Sequence, residues 1–170
     1  MQILEYKTIK KIQANKNVLE RKLKVEFEAS GKKVEAVGES FDVFVAEKVF
    51  EAIDKAFPVD IALLLTEENY VLEEIQIRDF TKKKSLVPVK ARIIGEKGRT
   101  IELIGELSEC YLTLSDNTVC IIGPADRIIF AENAVKSLIA GAKQSKIYGY
   151  LEKARKRVFP EDLGLKQEKG

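Results

Sequence analysis

Apolar residues recur along this chain in two rhythms, one of period two and one near 3.6, and their succession occurs twice. In the second half, residues 71–80 read as a strand, with Gln76, Arg78 and Asp79 between Ile75, Ile77 and Phe80. Residues 82–87 read as a loop. Pro88 then opens a helix, because its missing N–H would be unpaired in a first turn anyway. That helix runs to Ile94 and stops at Gly95. A second helix over 99–109 carries Ile101, Leu103, Ile104 and Leu107 on its apolar side. Strands over 111–114 and 118–122 flank Asp116-Asn117, which is turn chemistry. Gly123-Pro124 ends the second strand and starts a long helix over 125–140. Ile128, Ile129, Ala131, Ala134, Val135, Leu138 and Ile139 form its wide apolar face.

The first half runs through the same order. Residues 2–6 read as a strand, 8–12 as a helical turn and 17–23 as a short helix. Residues 24–29 alternate around Val25 and Phe27, turn at 30–33, and return over 34–37. A long amphipathic helix follows over 41–57, with Phe44, Val45, Val49, Phe50, Ile53 and Phe57 at helical spacing. Pro58 ends it, and Asp60 caps a short apolar helix through Leu65 that joins the halves. An internal repeat fixes the architecture early. The fold class is α+β: two modules of order β-α-α-β-β-α, each a three-stranded sheet packed by three helices. The boundaries are 1–68 for the first module with its linker helix, 69–158 for the second, and 159–170 for a polar tail expected to be loose.

Between the second module's first two helices lies Gly95-Glu96-Lys97-Gly98. Glycine permits a sharp turn and a close backbone approach, and the helix that follows points unpaired N–H groups at an anion such as phosphate. A GxxG alone is common by chance and serves many turns. Here it sits in the longer string Ile94-Gly95-x-x-Gly98-x-x-Ile101-x-x-Ile104, with a hairpin and a long helix behind it. That string resembles the GXXG core of a type I KH domain, a reader of single-stranded nucleic acid whose loop clamps about four nucleotides. The corresponding positions of the first module are Gln13-Ala14-Asn15-Lys16, without either glycine. The first module is therefore expected to have lost the phosphate clamp. The rival reading is that Asn15 and Lys16 still reach phosphate by side chain.

Composition removes most other chemistry. With 45% hydrophobic residues among 170, the chain can build cores. No apolar run approaches the roughly 18 residues of a membrane span, and residues 1–7 lack a signal-peptide pattern, so the cytoplasm is the expected compartment. Cys110 and Cys120 read as small buried apolar residues. Histidine is absent, which removes every Ser-His, Cys-His and His-metal arrangement. There is no Walker loop, since Gly31-Lys32-Lys33 reads as a hairpin turn, and no carboxylate pair stands out. No enzyme activity, metal or cofactor is expected.

The net charge is only +2, so its distribution matters more than its sum. Lys82, Lys83, Lys84, Lys90, Arg92, Lys97 and Arg99 face one acid, Glu96, in residues 82–99. Residues 143–157 are also basic. A cation-loving helix C-terminus accounts for Arg155 to Arg157. It does not account for charge surrounding a turn built to receive an anion.

Over nearly the whole chain the pattern is similar to one family, Partner of Nob One, also called the dimethyltransferase-interacting proteins. The residues that carry the resemblance are Tyr70-Val71-Leu72-Glu73, Ile77-Arg78-Asp79, the run from Ala91 to Thr100, Val119 to Gly123, Ile139 to Ala142, and Tyr148 to Arg155. The resemblance implies a tandem KH ribosome-assembly protein that binds single-stranded RNA near the 3′ end of the small-subunit ribosomal RNA and assists its processing. It implies as partners the processing endonuclease and the alpha subunit of translation initiation factor two. The expected RNA-binding residues are Arg92, Ile93, Ile94, Gly95, Glu96, Lys97, Gly98, Arg99, Thr100 and Tyr111, with Lys153 and Arg155 on the basic last helix. Gly95 and Gly98 would admit the backbone, Lys97 and nearby N–H groups would hold phosphates, and Ile93 and Ile94 would floor the bases. The alternatives are a protein-interaction scaffold and a general single-stranded nucleic-acid-binding KH protein.

Overall fold

The computed structural model describes residues 2–5 and 8–158. Tyr6, expected to end the first strand, and the tail expected over 159–170 lie outside the described residues. The chain divides into two compact units between Leu72 and Glu73. The division falls inside a strand, β4, rather than ahead of it at 68/69.

The first unit contains β1 (Gln2–Glu5), α1 (Ile9–Ala14), α2 (Lys16–Leu23), β2 (Glu26–Ser30), β3 (Lys33–Val37), α3 (Ser40–Asp54) and a short α4 (Val59–Ala62). Its sheet is ordered β1-β3-β2, with both pairings antiparallel and Val34 opposite both Leu4 and Ala29. The period-two alternation of β2 sends Phe27 inward, where it meets the edge of Phe50 at 5.0 Å between ring centroids. Ile12, Leu19, Ile53 and Phe57 complete this core. α3 ends earlier than expected because Ala56 takes a left-handed φ of +72° before Pro58. Phe44, expected on the apolar face, is exposed, with Lys48 over its ring, and Ala46 and Ala52 take the core-facing positions. Asp60 does not cap α4. Pro58 occupies the cap position and Asp60 lies in the first turn.

The second unit contains β4 (Tyr70–Gln76) from Glu73 onward, α5 (Val87–Ile94), α6 (Arg99–Ser108), β5 (Tyr111–Ser115), β6 (Thr118–Pro124), α7 (Ile128–Ile139) and α8 (Gln144–Val158). Its sheet is ordered β4-β6-β5, and β5 and β6 form an antiparallel hairpin that turns at Asp116-Asn117. β4 stops at Gln76, four residues before the expected end, because Ile77–Phe80 winds into a 3-10 turn. β6 is buried throughout and continues through Pro124, so α7 starts later than the expected 125. Two contacts explain the delay. Gly123 passes so close to Cys110 that a Cβ would lie 2.4 Å from its sulfur. Arg127 pairs with Glu109 and pins the turn before the helix. Ile129, expected on the apolar face of α7, is exposed.

α8 lays Ile147, Leu151 and Ala154 on the core at helical spacing, with Tyr148 half-buried beside them. Both cysteines are buried and free, and burial pushes the Cys110 thiol up to about 11. No helix among the described residues is long and apolar enough to cross a membrane, and no described cluster of Cys, Asp and Glu is arranged to hold a metal.

Candidate nucleic-acid interface

The site is a corner between two helices. α5 closes when the Gly95 N–H donates to the Ala91 carbonyl at 2.8 Å, and Gly95 then swings to φ +77°. Glu96–Gly98 makes a single 3-10 turn in which Lys97 sits at φ +51° and Gly98 at φ +76°. Three of four consecutive residues thus occupy the left-handed region. For Lys97 this costs on the order of 1–2 kcal/mol, which the surrounding structure must offset. α6 begins at Arg99 with no side-chain cap, and the Arg99 N–H donates to the Glu96 carbonyl.

The two glycines do different work. A Cβ on Gly95 would lie 2.1 Å from the Thr100 hydroxyl oxygen and 2.7 Å from the Thr100 nitrogen. Gly95 therefore lets the first turn of α6 tuck beneath the loop. A Cβ on Gly98 would meet nothing within 4 Å, so this glycine supplies a conformation and leaves an open surface.

Side chains around the corner sort by exposure. Glu96, Lys97 and Arg99 are exposed, and Arg99 lies 3.6 Å from Glu102 in an exposed pair, worth well under about 1 kcal/mol. Ile93 is wholly buried and belongs to the core, whereas Ile94 is 39% exposed beside the loop. Thr100 is buried and shapes the corner from below. Arg92 is half-buried and turned toward the α7 terminus, where its guanidinium donates to the Leu138 carbonyl at 3.1 Å and to the Ala142 carbonyl.

The corner thus brings together residues 94–99 at its surface, with Thr100 beneath. The other expected residues lie apart. Tyr111 is 45% exposed at the start of β5, and the Cys110 N–H donates to Gly105, so the tyrosine stands by the last turns of α6. Lys153 is exposed and Arg155 half-buried far along α8, about 13 Å or more by helical rise from its first residue. One residue that sequence reasoning missed is Gln144, whose amide donates to the Thr100 hydroxyl at 3.1 Å and toward the Arg92 carbonyl at 3.5 Å. A lone glutamine at a helix start carries no sequence signal of that role.

The equivalent joint of the first unit is built differently. Asn15 links α1 to α2 at φ −110°, and its amide donates to the Lys11 carbonyl at 2.8 Å. Lys16 bonds Glu28 at 2.9 Å, lies 3.8 Å from Glu20 and hovers over the Phe27 ring. The Glu28 hydrogen bond, set against a smaller desolvation effect, holds the Lys16 ammonium above its ordinary value. Lys11 donates to the Phe57 carbonyl at 3.0 Å. This joint has no left-handed turn, and both lysines are engaged.

The chain is similar to known proteins over much of its length. The model of the second Pno1 KH domain, a eukaryotic-type KH domain of type I, matches residues 71–156. A KH domain-containing protein of Methanocaldococcus jannaschii is 34% identical over 117 residues, 68% of this chain and 52% of that one. The pre-rRNA-processing protein pno1 of Emericella nidulans is 32% identical over 117 residues, 66% of this chain and 45% of that one. The chain spans about half the length of these two relatives. Among solved structures, a chain of the a/eIF2alpha–aDim2p–rRNA complex from Pyrococcus horikoshii superposes with a TM-score of 0.81. It is 26% identical, and the match covers 92% of this chain and 94% of that one.

Proposed function

The chain belongs to the Partner of Nob One (Pno1) family of KH proteins, and from that premise we propose that it binds single-stranded RNA during maturation of the small ribosomal subunit. The observation that carries the reading is the Gly95–Gly98 corner: two left-handed glycines, open space over Gly98, and exposed Lys97 and Arg99 at an uncapped helix start. Phosphates would lie over Gly98, and bases would rest on Ile94. The target would be the 3′ region of the small-subunit ribosomal RNA, as the resemblance implies. A structural neighbour comes from a complex with ribosomal RNA and a/eIF2alpha, which supports that RNA class and the initiation factor's alpha subunit as a partner. The processing endonuclease rests on the resemblance alone.

On this reading the first unit is a second KH module without a clamp. It has the helix and strand order of the second unit and the same first-third-second sheet arrangement. Its joint lacks glycine, and its lysines are engaged. It also exposes Val37, Phe41 and Phe44, which favours protein contact over RNA for this unit.

The test compares the chain with Gly98→Asp on a small-subunit 3′ RNA and a scrambled RNA at two salt concentrations. Aspartate places a negative charge where phosphate would sit. Tight, sequence-preferring binding is expected for the parent and none for the variant, with folding retained. Neutralising about three or four phosphates lowers affinity roughly 20- to 50-fold between about 50 and 200 mM salt. A folded Gly98→Asp chain with parental affinity overturns the site. Equal weak binding to both RNAs moves the scaffold reading ahead.

A further inference from the structure

The GXXG corner is tied to the turn between α7 and α8 by side chains from both of its flanks. Before the loop, the Arg92 guanidinium donates to Leu138 and Ala142, carbonyls at and just past the end of α7. A cation there also complements the negative end of that helix. After the loop, Thr100 accepts from Gln144, the first residue of α8. The same Gln144 amide reaches the Arg92 carbonyl, which lies in the last turn of α5 and has no partner within that helix. Thr100 in turn fills the space beneath Gly95. Loop, Thr100, Gln144, Arg92 and the helix corner therefore form one closed circuit.

We propose that Arg92 and Gln144 are positioning residues for RNA binding, holding the strained Gly95–Gly98 turn in its clamp conformation through the α7–α8 corner without touching RNA. The inference rests on the RNA-binding reading above. The strained turn is the reason a brace matters. Lys97 and both glycines occupy left-handed φ values that a free loop would leave for much of the time. A phosphate clamp that is ordered before binding does not lose affinity to ordering the loop. Arg92 looks from sequence like one more cation on the phosphate path. Its engagement at the back of the corner assigns it the opposite role. The two roles differ in salt dependence, because each phosphate neutralised on a single strand adds about 0.7 to the slope of log K against log salt.

The experiment measures binding of a single-stranded RNA of the small-subunit 3′ region to the full chain and its Gln144→Ala, Arg92→Met and Thr100→Val variants across a salt series. Amide hydrogen exchange of residues 97–100 and thermal unfolding are followed in parallel. Gln144→Ala is expected to weaken binding about five- to tenfold with an unaltered salt slope and faster exchange at the loop. Thr100→Val removes the shared acceptor while keeping the volume, so its combination with Gln144→Ala is expected to cost little more than Gln144→Ala alone. Arg92→Met is expected to weaken binding with the slope intact. Should it unfold the chain, the Gln144 and Thr100 arms decide. Parental affinity and parental exchange in folded Gln144→Ala overturn the proposal, as does a slope reduced by about 0.7 in Arg92→Met, which would make Arg92 a direct phosphate ligand. If the parent binds no RNA, the functional reading fails instead, and the exchange of the loop amides still reports whether Gln144 holds the turn.

Discussion

At the residue scale, the two glycines of the loop separate steric need from conformational need. Gly95→Ala meets the Thr100 hydroxyl and backbone nitrogen well inside contact distance, and it carries the left-handed cost as well. Gly98→Ala meets open space and carries only the conformational cost, about 1 kcal/mol. Denaturant unfolding is therefore expected to place Gly95→Ala at least 2 kcal/mol below the parent, roughly, and Gly98→Ala about 1 kcal/mol below. Equal losses would mean that α6 can withdraw from the loop at little cost. The sequence marked both positions as glycine but carried no sign of this difference. It depends on where Thr100 lies, and that follows from the packing of α6 beneath the turn rather than from local spacing.

At the element scale, the second module was legible because its signals agree. α5 opens at Val87, one residue before the expected Pro88, which still lies in its first turn; Gly95 closes it and Asp116-Asn117 turns the hairpin, each by local chemistry that tertiary contacts then reinforce. The misplacements share a physical cause. β4 ends at Gln76 although the alternation runs on to Phe80, because period two alone cannot distinguish a strand from a turn that buries Ile77. α7 starts at Ile128 because the Gly123–Cys110 approach and the Glu109–Arg127 pair hold the preceding residues, and both are contacts distant in sequence. The first module's joint was legible only as missing glycines. Its structure adds that the lysines are occupied, which makes the rival phosphate reading testable. Exchanging Lys11 and Lys16 together for glutamine removes two charges. RNA affinity is expected to stay within about twofold of the parent, with a salt slope unaltered by filter binding. A tenfold loss would return this joint to the RNA path.

At the scale of the whole molecule, the near-neutral net charge of +2 conceals an uneven arrangement of charges. Lys82, Lys83 and Lys84 are exposed in the loop that leads into α5, at the opposite end of that eight-residue helix from the GXXG turn. Arg78 shapes this loop by donating to the Lys83 carbonyl at 2.9 Å and the Lys84 carbonyl at 3.1 Å. The lysine side chains are thus carried by a braced backbone. The α5 rise spans about 12 Å, so on the proposed reading an RNA held at Gly98 would bring further phosphates toward the lysines. Changing all three to glutamine takes the net charge from +2 to −1, since three positive charges are removed. If these lysines act through phosphates, the variant weakens cognate and scrambled RNA by the same factor and lowers the salt slope by about 1 to 2, because phosphate contacts position the strand without reading bases. A variant that loses sequence preference instead would place the lysines against base edges. A variant that leaves both affinity and slope unaltered would confine the phosphate track to the glycine corner.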